Sequence, residues 1–440
     1  MSKTRRTRGT SHRGMVVAAV ALALGVGACQ GGGSRSGSET PGQMKLTMYY
    51  PVAVGGPLTK VVDDLIAEFE TSHKNIDVQA IYSGTYRDTM TKAQTAFRAG
   101  TPPDVAVLLS TELYSLTDAK MIVSYDDLLK GEDKTWLNRF FPALMKNSKD
   151  GEGRTWGIPF QRSTIVQYWN KELFKKAGLD PQKAPATWDD LAMAAEKVKA
   201  SKAAPYGVEI PTTDYGYWML QALATQNGVE VFNQAGNQTS FDNPAVIEAL
   251  NYWHGLAAKG VMPSGTIEWG AVPQDFLQGK TAMVWTTTGN LTNIKKTATF
   301  DFGVSPLPSK VRPGSPTGGG NLFVFKTKEE DKQKAATELV KWLSDPAQAA
   351  KWSIETGYIA TSSAAYETDA MQKYATGFPQ ALVARDQLQV AVSELSTHEE
   401  GRVLELVNNE VAAAMTGQKT PEQALKSAQS QADSLLKRYR

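Results

Sequence analysis

The chain has 440 residues, of which 41% are hydrophobic and 21% charged, with a formal net charge of +2, one cysteine and four histidines. That length suits two or three domains of about 100–200 residues, each with a real core, and the 9% aromatic content is that of a globular chain. The near-neutral charge argues against a nucleic-acid binder, one cysteine excludes an internal disulfide or a Cys-rich metal centre, and the spread of His73, His254 and His398 offers no His-based metal site.

The N-terminus reads as an export signal. Lys3, Arg5, Arg6, Arg8 and Arg13 form a basic region without an acid, and Met15 to Ala28 is an apolar run of 14 residues. A stable span needs about 20 residues, so this run is a signal core and not a membrane helix. It ends in Val26-Gly27-Ala28-Cys29. Small residues before a cysteine resemble a bacterial lipobox, which implies cleavage before Cys29 and lipid attachment to it. Residues 1–28 carry five of the 47 Lys and Arg and none of the 45 Asp and Glu, so without them the net charge is −3. Residues 29–43 are rich in Gly and Ser and read as a flexible tether.

The body opens with a strand over Lys45–Tyr50, broken by Pro51 and Gly55-Gly56-Pro57. Leu58, Val61, Val62, Leu65, Ile66 and Phe69 recur at helical spacing. Ile76, Val78 and Ala80 alternate as in a strand; a helix over Tyr86–Ala99 stops at Gly100 and Pro102-Pro103; Val105–Leu109 is a short buried strand. This β-α-β-α-β order predicts a parallel sheet whose ligand sits beyond the strands' carboxyl ends, at the loops after Tyr50, Tyr82 and Leu109. Further on, Thr187 with Asp190 three residues later starts a helix with Leu191, Ala195 and Val198 on one face. Thr420-Pro421-Glu422-Gln423 starts another, with Leu425, Ala428, Ala432 and Leu435 turned inward.

Catalytic motifs are weak. Gly279-Lys280-Thr281 looks like the end of a phosphate-binding loop, but position 274, which that loop requires to be glycine, is Gln. No Gly-x-Ser-x-Gly elbow occurs, and the acidic pairs Asp63-Asp64, Asp189-Asp190 and Glu399-Glu400 fall on helix surfaces or loops, where solvated charge is the default. Gly318-Gly319-Gly320 offers bare backbone to a ligand or simply a turn. Tyr49, Tyr50, Tyr82, Tyr86 and Tyr114 lie near the ligand-facing loops, and Asp214-Tyr215-Gly216-Tyr217-Trp218 forms a second aromatic cluster. Such rings stack on sugars or attract cationic head groups, or pack in a core.

YWNKELFKKAGLDPQKAPATWDDLAMAAEKV (168–198), FLQGKTAMVWTTTGNL (276–291) and DPAQAAKWSIETGYIATSSAAY (345–366) resemble, in that order, segments of the solute-binding proteins of ABC importers for sugars and sugar-like solutes. The resemblance implies an α/β, two-lobed periplasmic-binding-protein (venus-flytrap) fold, each lobe a mostly parallel sheet flanked by helices, with three chain crossings between lobes. It assigns 44–155 and 283–325 to lobe 1 and 156–282 and 326–440 to lobe 2. YSGTYRDTMTKAQTAFRAGTPP (82–103) and TGQKTPEQAL (416–425) are most similar to glycerol-3-phosphate and glycerophosphodiester binders. That similarity implies ligand roles for Tyr86, Ser163, Thr287, Gly320 (through its backbone N–H) and Tyr358. Tyr50, Tyr217 and Trp218 join them as aromatic candidates.

The sequence departs from that pattern at three places. The acid after the third strand falls at Ser110, the tryptophan pair is replaced near Tyr215, Tyr217 and Trp218, and the ligand arginine aligns with Leu404. Arg402 lies two helical positions away, about 200° round the helix, and Arg162 beside Ser163 is the alternative cation. The expectation is therefore a monomeric, lipid-anchored receptor at the outer face of the membrane or in the periplasm, without cofactor, metal, nucleic acid or catalytic activity. It would deliver a small-molecule solute to ABC permease subunits with a cytoplasmic ATPase. The solute is a glycerol 3-phosphate or glycerophosphodiester or, alternatively, a neutral sugar or oligosaccharide; a surface hydrolase is the rival outside transport.

Overall fold

The computed structural model describes residues 43–440; Cys29, the export signal and nearly all of the tether lie outside the described residues. Nine strands form one sheet in the order β2-β1-β3-β8-β4-β6-β5, with β7 on β4 and β9 on β8. They are β1 (Met44–Tyr50), β2 (Ile76–Tyr82), β3 (Val105–Leu109), β4 (Ile158–Asn170), β5 (Tyr206–Glu209), β6 (Thr281–Thr287), β7 (Phe302–Ser305), β8 (Ser315–Val324) and β9 (Ala391–Val392). Pairs joined through helical crossovers are parallel, β1 with β2 and β3 and β5 with β6. Strands arriving from the other half of the chain run antiparallel, β8 with β3 and β4 with β6, β7 and β8.

Local sequence explains the outer elements. The helix Leu58–Ser72 buries Leu58, Val61, Val62, Leu65, Ile66 and Phe69, the six residues of its 3.6-residue pattern, against β2 and the helices Glu330–Leu343 and Pro346–Thr356. Burial of side chains this size stabilises by roughly 2 kcal/mol each before entropy is counted. The helix Tyr86–Arg98 is closed at its start by a capping box between Thr85 and Asp88. Thr187 with Asp190, and Thr420 with Gln423, make the same box for Trp188–Ala200 and Pro421–Leu436. In the last helix it is Leu436, not Leu435, that is wholly buried, because the inward face drifts by one residue over four turns.

Two large cores define two lobes. One gathers residues of β1 to β3 and the helix Leu58–Ser72 with Leu322, Val324, Leu339, Val340, Trp352 and Tyr358. The other gathers Ile165, Val166, Met283, Trp285, Ile294, Phe302 and Leu307 with the helices of residues 188–257 and 400–436. The expected boundaries are thereby corrected. Residues 283–307 pack in lobe 2, since β6 is hydrogen-bonded between β4 and β5. Residues 330–358 pack in lobe 1, where the helix Glu330–Leu343 lays Ala335, Ala336, Leu339, Val340 and Leu343 under the sheet. The chain crosses within β4, within β8, and again between Tyr358 and Leu395.

Candidate functional site

A cavity of about 680 Å³ is lined from both lobes. Lobe 1 supplies the three loops at the carboxyl ends of its parallel strands: Val52–Gly55 after β1, Thr85–Arg87 with the first turns of the following helix after β2, and Leu109, Glu112 and Ser115 after β3. Those are the positions a parallel sheet opens to a ligand. Lobe 2 supplies Asp214, Tyr215 and Tyr217 at the start of the helix Gly216–Gln226, Trp269, Gly270, Pro273 and Gln274, Asn290 and Asn293, and one face of the helix Glu400–Met415 through Gly401, Leu404, Glu405 and Asn408.

Asn408 fixes the second wall. Its Oδ1 accepts from Tyr217 N at 2.9 Å, satisfying a helix N-terminal donor, and its Nδ2 donates to Asp214 O at 2.9 Å. Asp214 sits at φ 58°, a left-handed conformation an aspartate tolerates, which turns the chain so that Tyr215 and Tyr217 both reach the cavity. Tyr215 packs edge-on against Trp269, with ring centroids 4.6 Å apart.

Of the expected site residues, Tyr86 and Tyr217 line the cavity. Tyr86 donates to Gln161 Oε1 at 2.8 Å, and Tyr217 to Glu394 Oε1 at 2.7 Å. The others are buried behind this wall. Tyr50 is 3% exposed, and burial and Asp63 push its hydroxyl up to about 12. Ser110 and Ser163 are buried, the Ser110 hydroxyl without a partner among the described residues. Thr287 Oγ1 accepts from Gly289 N, and Gly320 sits in β8 between Leu109 and Gln161 with the Tyr86 ring against it. Tyr358 stacks on Trp352, and Trp218 donates Nε1–H to Thr317 O at 2.9 Å under Gly318.

Neither proposed replacement for the absent arginine reaches the cavity. Arg162 is 0% exposed and donates to Thr317 Oγ1 at 3.0 Å, Asn321 Oδ1 at 3.3 Å and Gly319 O at 3.5 Å. Burial lowers it to about 10, against the opposing pull of Glu394 and Tyr86. Both faces of β4 are covered by protein here, so its neighbour Ser163 is no more open to a solute than Arg162. Arg402 is exposed and pairs with Glu399 at 3.3 Å. Leu404 itself lies on the wall.

The charged groups on the wall are Arg87, Glu112 and Glu405, none of them an expected site residue, together with Asp214 from the aromatic cluster. None forms an ion pair among the described residues. Burial raises Glu112 and Asp214, and Arg87 pulls both partly back. Arg87 adjoins Tyr86 and Glu405 adjoins Leu404, so the aligned segments had already passed through both. Trp269 and Asn293 lie outside every segment quoted for the resemblance, and no local signal marks them. The wall thus offers amides, tyrosine hydroxyls, carboxylate acceptors and aromatic faces, with one guanidinium against three carboxyls.

Comparison with known proteins agrees with this architecture. The model of the bacterial extracellular solute-binding protein family matches residues 64–380. The sn-glycerol-3-phosphate-binding periplasmic protein UgpB of Escherichia coli K12 is 28% identical over 405 residues, covering 87% of this chain and 91% of that protein. UgpB of Mycobacterium tuberculosis, solved with glycerophosphocholine, superposes with a TM-score of 0.80 at 21% identity, covering 90% of this chain and all of that one. The cyclic α-maltosyl-1,6-maltose binding protein of Arthrobacter globiformis gives 0.77 at 23% identity with the same coverage. On the family match, the two-lobed fold and a cavity walled by both lobes, this chain belongs to the bacterial extracellular solute-binding proteins.

Proposed function

We propose that the chain is the substrate-binding component of an ABC importer and that its solute is a neutral, polyhydroxylated molecule of sugar or oligosaccharide type. The observation that carries this is the charge of the wall: three unpaired carboxyls and Leu404 face the cavity with Arg87 as the one cation. Carboxylates and amides accept and donate to sugar hydroxyls, and the faces of Tyr215 and Trp269 suit the apolar face of a sugar ring. A dianionic phosphate would meet net negative charge in a partly desolvated site. The volume falls within the range of about 300–1,000 Å³ usual for small-molecule sites and leaves much of the space unfilled by a glycerol phosphate.

Arg87 favours a second reading. An unpaired guanidinium on one wall, with carboxyls and aromatic rings opposite, also suits a zwitterionic glycerophosphodiester, the ligand class of the M. tuberculosis structure. In both readings the lobes enclose the solute, Cys29 carries the lipid that holds the receptor at the outer membrane face, and permease subunits with cytoplasmic ATPases take the cargo. Calorimetry with maltose, trehalose, glycerophosphocholine and glycerol 3-phosphate separates the two. Heat of binding with a sugar and none with either phosphate compound supports the first reading; glycerophosphocholine binding alone replaces it with the second.

A further inference from the structure

The loop after β1 meets lobe 2 along one edge of the cavity. Trp269 Nε1 donates to Ala53 O at 3.1 Å, and Gly55 N donates to Asn290 Oδ1 at 3.4 Å. All four residues line the cavity. The approach is tight: a side-chain carbon on Gly55 would lie 2.6 Å from Asn293 Nδ2. Trp269 is 9% exposed and is supported from behind by Tyr215 and by Trp218, 6.1 Å between ring centroids. With the N–H engaged by Ala53, only the face of the indole remains for a solute.

We propose that Trp269 is a positioning residue that latches the two lobes: its N–H bond to Ala53 O, seconded by Asn290 on Gly55, favours the closed state independently of any contact the solute makes. Both bonds join opposite lobes, so both are lost to water when the lobes part. A single such bond shifts an equilibrium by about two- to tenfold, enough to keep a minor closed population before solute arrives and to slow solute release after closure. Gly55 is part of the device through its backbone N–H, and a methyl group there would press on the Asn293 amide, 2.6 Å away, and push it off the loop. The inference rests on reading the cavity as a solute site that opens and closes.

The test measures closure directly. Nitroxides on Thr95→Cys in lobe 1 and Met193→Cys in lobe 2, in the full chain carrying Cys29→Ser, report the interlobe distance by pulsed dipolar spectroscopy. Without solute, Trp269→Phe keeps an aromatic ring but loses the donor, and the closed fraction is expected to fall at least twofold. Gly55→Ala, which keeps every tryptophan, is expected to lower it as well. With maltose as probe, Gly55→Ala, which leaves the Trp269 ring in place, is expected to raise the dissociation rate about two- to tenfold. No closed population in the unsubstituted chain, or a closed fraction in Trp269→Phe and Gly55→Ala no lower than in the unsubstituted chain, overturns the latch. If the closed fraction falls but maltose never binds, the latch stands and the sugar reading fails.

Discussion

Leu404, 9% exposed between Gly401 and Glu405 on one face of a helix, gives the cavity an apolar patch at the position where the resemblance implies an arginine. A leucine offers a phosphate neither charge nor donor, and Arg162, held by Thr317, Asn321 and Gly319, is not free to stand in. Leu404→Arg therefore tests recognition one residue at a time. A guanidinium there would add a charge-assisted contact worth about 1.5–3 kcal/mol to an anion, so glycerol 3-phosphate affinity is expected to rise about tenfold or more while affinity for a neutral sugar falls. Titration calorimetry of both ligands against both proteins checks it; unchanged glycerol 3-phosphate binding would place position 404 away from the ligand. At this scale the sequence was partly legible. Tyr86, which the resemblance points to, and Tyr217, of the aromatic cluster, stand in the first turns of helices that open to the cavity. Ser163, Thr287 and Gly320 sit in strands covered on both faces, and depth behind a wall leaves no trace in a local motif.

Among elements, the helix Tyr86–Arg98 couples stability to the site most directly. Its capping box holds the turn from which Tyr86 and Arg87 face the cavity, and Asp88, which accepts from Thr85 N and Oγ1, is lowered by those bonds. The helix Trp188–Ala200 has the same box and contributes nothing to the wall. Thr85→Ala and Thr187→Ala are each expected to cost about 1 kcal/mol of stability. Only Thr85→Ala should also weaken solute binding, by several-fold, because only that cap orients wall residues. Urea unfolding and calorimetry on the two variants separate the effects; equal affinities would mean that the cap does not position Tyr86 and Arg87. Elements of this kind were readable because a cap and a 3.6-residue stripe are short-range facts. The exchange of 283–307 and 330–358 between lobes was not, since both stretches have ordinary strand and helix patterns that fit either core. The pairing of β6 with β4 and β5 decides the first, and the packing of the helix Glu330–Leu343 against β1 and β8 decides the second.

The whole molecule turns on the place where the three crossings meet. Arg162 of β4 donates to Thr317 of β8, Thr317 donates to Asn147 Oδ1 at 3.3 Å, and Asn147 exchanges two bonds with the Glu394 backbone on the third crossing, at 2.8 and 2.9 Å. Arg162, Tyr217, Glu400 and Glu112 crowd this network electrostatically. Burial pushes the Glu394 carboxyl up to about 7, despite the bond from Tyr217 and the charge of Arg162, and its second oxygen has no partner among the described residues. Glu209, buried in lobe 2 near Asp275, is likewise pushed up to about 7, and burial and the nearby Glu112 raise Glu400 as well. A carboxyl raised in the folded state binds its proton more tightly there than in the unfolded chain. Its contribution to stability is full below the unfolded value near 4.5 and is lost as pH rises through 7. The exposed acids held low by partners, Asp64, Asp88, Glu248 and Glu422, act in the opposite sense but only below their ordinary range, outside this window. The melting temperature is therefore expected to fall between pH 5 and pH 8. Moving one carboxyl from 4.5 to about 7 is worth on the order of 3 kcal/mol. Glu394→Gln keeps an acceptor for the Tyr217 hydroxyl and removes the titration, so its melting temperature should depend less steeply on pH, with Glu209 and Glu400 supplying the remaining slope. Thermal unfolding across that range, on both proteins, decides the matter: parallel curves would show that the Glu394 carboxyl does not exchange a proton on unfolding.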